Sequence, residues 1–322
     1  MIQRRTFTAG VAATLAAPLV RAQGIPQQPI KIIVGFAPGG GTDILSRVIG
    51  QKLAEMWKTQ IIVENRAGAS GTIAADLVAK SPGDGTVLHM AHINSHAIVP
   101  GLQKLPYDAE KDFQPIAMVG ITPNLLICNE QQPARTVKEV VELCKKNPGK
   151  ISFGSAGNGS AQHLALEMFM LQAGVKAIHV PYKGSGPMLT DLIGGQINYS
   201  FDTMTAATPH VKSGKAIPIA QTRQARVKSY PNVPTMAESG FPGYEATTWY
   251  GLVGPGKMSP ALAKRMNEDV NKVLHMPDVM EKLEASGAED GGGSTEKFAQ
   301  FMKVEQAKWA KVIKEAGVKA EI

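Results

Sequence analysis

Two glycine-rich stretches, each just before a predicted helix, are the residues of this chain best suited to hold a ligand. PGGGTD covers residues 38–43, and SAGNGSAQH covers residues 155–163. The first N–H groups of a helix have no partner inside the helix, and the helix dipole adds about half a positive charge there. Glycine lets an anion approach them without meeting a Cβ atom. Each stretch predicts either an anion-binding loop or a tight turn that only joins a strand to a helix.

Side chains that could cap these two helices are also present. Thr42 or Asp43 could cap the first, and Asn158 or Ser160 could cap the second. If the two loops face each other across a cleft, they could hold one carboxylate from two sides.

A hydrolytic site is the alternative interpretation of the second loop. Ser155 and Ser160 lie among glycines and His163 follows, so a serine nucleophile and a histidine base are both available. Neither serine stands in the GxSxG frame of an α/β hydrolase. A secreted α/β serine hydrolase using Ser155 or Ser160 with His163 is therefore the second hypothesis.

Other chemistries have less support in the sequence. His89, His92 and His96 lie close together, but no carboxylate or thiol accompanies them, so no metal site is predicted. Neither glycine loop reads GxGxxG, and in GLVGPGKMS a methionine, Met258, stands where a phosphate-binding loop needs a hydroxyl. We expect no cofactor.

Strands and helices alternate along the chain after Ile30. IKIIVGF, QIIVEN and TVLHMA are short apolar runs of the type found in buried strands, and amphipathic or apolar segments separate them. The same order starts again at KISFGS, with AIHVPY, INYSFD and AIPIAQT as further strands. This pattern predicts an α/β fold in which helices cover parallel sheets.

Two long extended segments connect the α/β units and imply a hinged, two-lobed molecule. FQPIAMVGITPNLLICNE lies between the units, and YEATTWYGLVGP follows the second unit, before two or three final helices. We expect lobe I to cover residues 23–123 and 246–322, and lobe II to cover residues 124–245. A ligand of such a protein lies in the cleft between the lobes.

The first 22 residues have the pattern of an export signal. Arg4 and Arg5 precede a modestly hydrophobic stretch that ends in VRAQ, and QRRTFTAG resembles a twin-arginine signal with Thr8 in place of the usual leucine. The general secretory route is the alternative. We expect a periplasmic protein.

Charge and cysteine content limit the other functions that can be considered. The formal net charge is +7, and the leader carries three of the arginines and no acidic residue. The mature chain is thus only mildly basic, so we expect no nucleic-acid partner. The two cysteines, Cys128 and Cys144, show no metal-binding spacing and are predicted to be small buried side chains, with a disulfide bond in the exported chain as the alternative.

Seven separated blocks of this sequence resemble the periplasmic receptors of tripartite tricarboxylate transporters, often called the Bug family. The resemblance runs from about Pro29 to Gly317 and includes PIKIIVGFAPGGGTDILSR, FGSAGNGSAQHLALEMF, HVPYKGSGPMLTDLIGGQINYSFD and YPNVPTMAESGFPGYEATTWYGLVGP. It implies a type II-like periplasmic binding protein with two parallel or mixed sheets, flanking helices and a two-strand hinge. It also implies a monomer that is not an enzyme and that delivers a small organic carboxylate to a two-component membrane permease.

The resemblance further implies which residues hold the carboxylate, largely through main-chain donors and ordered water. The residues at the matching positions are Phe36, Pro38, Gly39, Gly40, Gly41, Thr42, Asp43, Ser155, Ala156, Gly157, Asn158, Gly159, Ser160, His163, Tyr182, Lys183, Gly184 and Asp202. Where relatives often carry small hydroxyl residues after the third strand, this chain has HMAHINSHA. His92, Asn94 and His96 are therefore candidates for recognising the far end of the ligand, with packing in the core as the alternative.

Overall fold

The computed structural model describes residues 24–316, and strands and helices alternate through this part of the chain as predicted. The predicted leader, residues 1–22, lies outside the described residues. The strands are β1 (Ile30–Val34), β2 (Ile61–Asn65), β3 (Val87–His92), β4 (Phe113–Cys128), β5 (Ser152–Ser155), β6 (Ile178–Pro181), β7 (Tyr199–Thr203), β8 (Ile217–Gln221) and β9 (Thr247–Pro255). The α-helices are α1 (Gly41–Trp57), α2 (Thr72–Ala79), α3 (Val99–Leu102), α4 (Val137–Lys146), α5 (Ala161–Ala173), α6 (Ser185–Ile193), α7 (Met204–Lys212), α8 (Pro260–Leu274), α9 (Pro277–Ala285) and α10 (Thr295–Ala316).

Two mixed sheets share the long strand β4. In the first sheet the order is β2-β1-β3-β9-β4, with β1 parallel to β2 and β3, and β9 antiparallel to both of its neighbours. In the second, β4 pairs with β7 and β8, and β7 continues to β5 and β6. β4 pairs with β9 up to Pro123 and with β7 from Asn124. The α/β fold with two mixed sheets and two long connecting strands is confirmed.

Strand β1 shows why apolar runs of this kind predict strands covered on both faces. Ile30, Ile32 and Val34 belong to one hydrophobic cluster, and Ile33 points into another on the opposite face. All four are at most 1% exposed. The second sheet is likewise packed between two hydrophobic clusters.

The sequence analysis did not predict two helical segments. Helix α7 follows β7 without a loop and contains Pro209. A π-helical turn, Asn94–Ile98, follows β3 and leads directly into α3. Neither segment has the long apolar periodicity that predicts a helix.

The two cysteines are buried and unpaired, as predicted. Cys128 lies in β4 and Cys144 in α4, and both side chains are fully buried. Burial raises the pKa of each thiol to about 11, so neither is a reactive thiolate. Within residues 24–316, the helices are too short or too polar to cross a membrane.

Candidate functional site

The first glycine loop joins β1 to α1 and leaves the start of that helix uncapped. Gly40 occupies the N-cap position, and no side chain bonds to the first amides of the helix. Neither Thr42 nor Asp43 acts as the cap. The first N–H groups of α1 are thus left for another partner.

Asp43 holds this loop in shape. Its carboxylate accepts hydrogen bonds from the Gly39 N–H at 3.1 Å, from Arg47 Nη2 at 2.8 Å and from Asn65 Nδ2 at 3.0 Å. Burial alone would raise the pKa of Asp43, but these bonds outweigh it, and the pKa lies below the usual value. Asp43 is therefore an ionised structural residue whose charge is compensated by its neighbour Arg47.

The second glycine loop, by contrast, satisfies most of its donors internally. The Ser160 side chain caps α5 by accepting a hydrogen bond from the His163 N–H at 3.2 Å. The Gly159 N–H donates to His163 Nδ1 at 3.1 Å, and the Gly157 N–H donates to Ser155 Oγ at 3.1 Å. Ser160 is one of the two caps that the sequence predicted, Asn158 being the other, and the start of α5 has little left to offer an anion.

Helix α6 takes the place opposite the first loop. Its N-cap is Gly184, with φ +130°, and here too no side chain caps the helix. The Ala37 N–H donates to the Lys183 carbonyl at 2.9 Å, so the loop before α6 is bonded directly to the loop before α1. A Cβ atom on Gly184 would lie 3.0 Å from the Ala37 nitrogen, which explains the glycine there. The starts of α1 and α6 thus meet across the cleft.

A small cavity lies between these two helix starts. It encloses about 10 Å³, roughly the space of one water molecule. None of the described residues that line it is lysine or arginine. Its lining is Phe36, Gly40, Gly41, Thr42, His92, Ala156, Gln162, Ser185, Thr203 and Tyr250.

A larger cavity of about 520 Å³ adjoins the small one and shares Phe36 and Ala156 with it. Ser70 lies at its wall and donates to the Asn158 carbonyl at 2.5 Å, which is a second direct bond across the cleft. Ser70 belongs to a turn in which Gly68, Ala69, Ser70 and Gly71 all have positive φ. Such strained turns are concentrated at functional sites.

The predicted residues separate into three groups. Six line the small cavity: Phe36, Gly40, Gly41, Thr42, His92 and Ala156. Four more line the larger one: Gly157, Asn158, Tyr182 and Lys183. The others line neither: Pro38, Gly39, Asp43, Ser155, Gly159, Ser160, His163, Gly184, Asp202, Asn94 and His96.

The three candidates after β3 have different surroundings. His92 Nδ1 accepts a hydrogen bond from the Asn94 N–H at 3.2 Å, so the ring proton is on Nε2. Burial lowers the pKa of His92 to about 3, helped by its neighbour His89, and the ring is neutral. Asn94 Oδ1 accepts from the Ala161 N–H at 2.9 Å and so joins the π-helical turn to α5. The His96 ring lies in the core, 4.5 Å from Phe113.

Asp202 lies directly behind the small cavity instead of lining it. Its Oδ1 accepts a hydrogen bond from Ser185 Oγ at 2.5 Å and a long one from Gln162 Nε2 at 3.5 Å. The other oxygen, Oδ2, is buried without a hydrogen-bond partner among the described residues. Burial raises the pKa of Asp202 to about 6, although the hydrogen bonds from Ser185 and Gln162 lower it.

Four residues of the small cavity were missed by the sequence analysis. Ser185 follows Gly184 at a helix start and carries the same signal as the two glycine loops. Thr203 follows Asp202 at the end of β7, and Gln162 lies in the first turn of α5. Tyr250 lies inside the apolar strand β9, where no signal distinguishes it.

The hydrolase hypothesis is not supported. The Ser160 hydroxyl bonds to the main chain of His163, while the His163 ring contacts Gly159 N–H and Glu167. Ser155 Oγ lies 2.6 Å from Nε2 of a different histidine, His179, and is fully buried. Neither predicted serine is paired with the His163 imidazole.

Comparison with known proteins gives one family. Residues 45–318 match the sequence profile of the tripartite tricarboxylate transporter family receptor. A protein encoded in the tcbD-tcbE intergenic region of Pseudomonas sp. (strain P51) is 36% identical over 98% of this chain and 95% of its own length. Protein BugT of Bordetella pertussis is 35% identical over 97% of this chain and 95% of its own length.

Two solved structures with ligands are also similar. Rpa4515 of R. palustris, solved with adipate, has a TM-score of 0.88 and 34% identity, covering 91% of this chain and 99% of that one. MatC of Rhodopseudomonas palustris, solved with bound malate, has a TM-score of 0.84 and 30% identity, covering 90% of this chain and all of that one.

Proposed function

Because the chain belongs to the tripartite tricarboxylate transporter receptor family, a family of periplasmic solute receptors, we propose that it binds a small organic carboxylate between the starts of α1 and α6. The observation that carries this proposal is the pair of uncapped helix N-termini meeting at one cavity. Main-chain amides at such positions attract an anion without a buried lysine or arginine. The ligands of the two similar structures, adipate and malate, are both carboxylates of this kind.

In the bound state the starts of α1 and α6 lie further apart than in this structure, and the ligand extends from the widened small cavity into the larger one. One carboxylate is held at the helix starts, by Gly40, Gly41, Thr42 and Ser185, while the rest of the molecule lies beside Tyr182 and Lys183. His92 contributes its Nε2–H as a neutral donor. The second glycine loop contributes Ala156 and shapes the larger cavity through Gly157 and Asn158.

The remaining features of the proposal follow from the same family. The protein acts as a monomer, releases its ligand unaltered to a two-component membrane permease and performs no catalysis. Lobe I covers residues 23–123 and 246–322 and lobe II residues 124–245, supported by the change of strand partners at Pro123 and Asn124. Export by the twin-arginine route stays a prediction, since Arg4 and Arg5 lie outside the described residues.

A thermal-shift screen tests the proposal. The purified protein, refolded to remove retained ligand, is heated with adipate, malate, other mono-, di- and tricarboxylates, and neutral diamide analogues as controls. A ligand at 100 times its dissociation constant adds about 2.7 kcal/mol to the free energy of unfolding, which raises the midpoint by several degrees. We expect at least one carboxylate to do so and its diamide to have no effect. The proposal fails if acid and diamide act alike.

A further inference from the structure

Asp202 is a carboxyl group that lies fully buried behind the small cavity. Ser185 Oγ is the bridge, because it donates to Asp202 Oδ1 at 2.5 Å and also lines the cavity. A ligand carboxylate that contacts Ser185 is therefore separated from Asp202 by one hydroxyl group. Gln162, the other donor to Asp202, lines the same cavity.

The Ser185 hydroxyl carries one hydrogen and can therefore donate one hydrogen bond at a time. While Asp202 is ionised, the Ser185 hydrogen is committed to it, and the Ser185 oxygen turns only lone pairs towards the cavity. A ligand carboxylate also has only lone pairs. If a proton is added to Asp202, its O–H can donate to Ser185 Oγ, and the Ser185 hydrogen is then free to bond the ligand.

Within residues 24–316, no lysine or arginine lines the small cavity, and Lys183 lines only the larger one. The titratable groups around the cavity are His92, at the end of β3, and Tyr250 of β9. Burial lowers the pKa of His92 to about 3 and raises that of Tyr250, so both are neutral near pH 7. Asp43 of α1 is already paired with Arg47, and His163 of α5 is engaged by Gly159 and Glu167.

From these contacts we propose that binding of a carboxylate is coupled to the uptake of one proton from solvent, which is held on Asp202 and shared with the ligand through Ser185. The proposal rests on the carboxylate-binding function proposed above. Two neighbouring carboxylates in a site shielded from water do not both stay ionised. The unpartnered Oδ2 makes the ionised form of Asp202 costly even before the ligand arrives.

The pH dependence follows from the free and bound states. Burial raises the pKa of Asp202 to about 6 in the free protein, so at pH 7 to 8 the group is mostly ionised. A bound carboxylate raises this pKa further. Ligand affinity should then fall as pH rises above about 6, approaching tenfold per pH unit until the pKa of the bound form is reached.

Isothermal titration calorimetry between about pH 7.0 and 8.5 measures the proton directly. The probe is whichever of malate and adipate binds, because both are fully ionised in that range. Titrations in phosphate, HEPES and Tris, which differ in ionisation enthalpy, should give an uptake close to one proton per ligand. Asp202→Asn should bind without uptake and with an affinity that does not vary with pH. Asp278→Asn, a change at an exposed carboxylate paired with Lys52, should behave as the unaltered protein does.

A second measurement uses the unaltered protein, so that a folding defect in Asp202→Asn does not decide the result. Infrared difference spectra with and without ligand should show a new protonated carboxyl band that persists when the ligand carboxyl groups carry ¹³C. Binding without proton uptake overturns the inference but leaves the receptor function intact. Binding of an ammonium-bearing acid that pairs with ionised Asp202 is one such result. Uptake that persists in Asp202→Asn overturns the assignment to this residue. If no carboxylate binds at all, the receptor function and the inference fail together.

Discussion

Gly41 illustrates how one residue limits what can enter the site. A Cβ atom at this position would collide with the Tyr250 hydroxyl and would lie 3.1 Å from Thr203 Oγ1. The glycine is required for space and not for an unusual backbone angle, because residue 41 is the first residue of a regular helix. Gly40, its neighbour, has more room: a Cβ there would lie 3.6 Å from Ser185 Cβ.

Replacing these two glycines by alanine should therefore have unequal effects. We expect Gly41→Ala to weaken carboxylate binding at least tenfold, about 1.4 kcal/mol, because Tyr250 must move out of the cavity wall. Gly40→Ala should change affinity by less than about threefold, since its Cβ makes only ordinary contacts. Calorimetric titration of both variants measures this, with thermal midpoints as the check on folding. Equal affinities would contradict the geometry of the site.

The sequence could identify the glycines but not most of the residues around them. The sequence identifies Gly40, Gly41 and Thr42 because they lie at the predicted start of a helix. Tyr250 reaches the cavity only because β9 pairs with β3, a pairing between residues far apart in the chain. Asn94 bonds to Ala161 across 67 positions, and His96 turns into the core, because of how the π-helical turn orients them. No local pattern carries that information.

At the scale of elements, the helices differ in how their starts are satisfied. Helix α4 has a complete capping box, with Thr136 and Glu139 bonded to each other's main chain. Helix α5 is capped by Ser160, whereas α1 and α6 are capped by no side chain. The uncapped starts of α1 and α6 lie at the same cavity. A ligand there can accept hydrogen bonds from the first amides of these two helices, whereas the starts of α4 and α5 are already capped.

Adding a side-chain cap to α1 should therefore stabilise the ligand-free protein and weaken its binding of the ligand. Gly40 has φ −82° and ψ 166°, which suits a capping serine. We expect Gly40→Ser to raise the free energy of unfolding of the ligand-free protein by a few tenths of a kcal/mol and to weaken ligand binding severalfold, because its Oγ competes for the same amides. Denaturant unfolding and calorimetry measure the two effects.

The matched control removes a cap far from the cavity. Thr136→Ala in α4 should lower the free energy of unfolding by about 1 kcal/mol and leave ligand affinity unchanged. If Gly40→Ser binds the ligand as tightly as the unaltered protein does, the amides of α1 do not hold the carboxylate.

The strands were easier to predict than the connections between them. β1, β2 and β3 are apolar runs buried by helices, and periodicity and turn residues suffice to find them. Helix α7 could not be found in this way, because nine residues that include Pro209 carry too little pattern. The sequence also could not predict that β4 changes its partner from β9 to β7, because the pairing of extended segments depends on the whole fold.

At the scale of the whole molecule, the two halves are in close contact. Ala37 bonds to Lys183, Ser70 bonds to Asn158, and Arg223 pairs with Glu289 and Asp290. The small cavity of about 10 Å³ cannot hold even one carboxyl group together with its chain. Ligand entry therefore requires the starts of α1 and α6 to separate, as in hinged binding proteins.

A disulfide between the two helix starts tests this requirement. The 3.6 Å between a Cβ on Gly40 and the Cβ of Ser185 suits a disulfide bond. We expect Gly40→Cys combined with Ser185→Cys to form this bond with oxidised glutathione in the absence of ligand. The oxidised protein should bind no carboxylate, and reduction should restore binding to the affinity of a single Ser185→Cys variant, which also lacks the Ser185 hydroxyl. The single Gly40→Cys variant, treated identically, is the control, and binding by the oxidised double variant would show that separation is unnecessary.

The central claim is that a carboxylate is bound at the converging starts of α1 and α6. A crystal structure of the protein with the tightest-binding acid from the thermal screen tests it most directly. We expect carboxylate oxygens within about 3 Å of main-chain nitrogens at Gly41 or Thr42 and of Ser185 Oγ, as hydrogen bonds require. A carboxylate held instead by Lys183 in the larger cavity, with the helix starts still closed on each other, would contradict it.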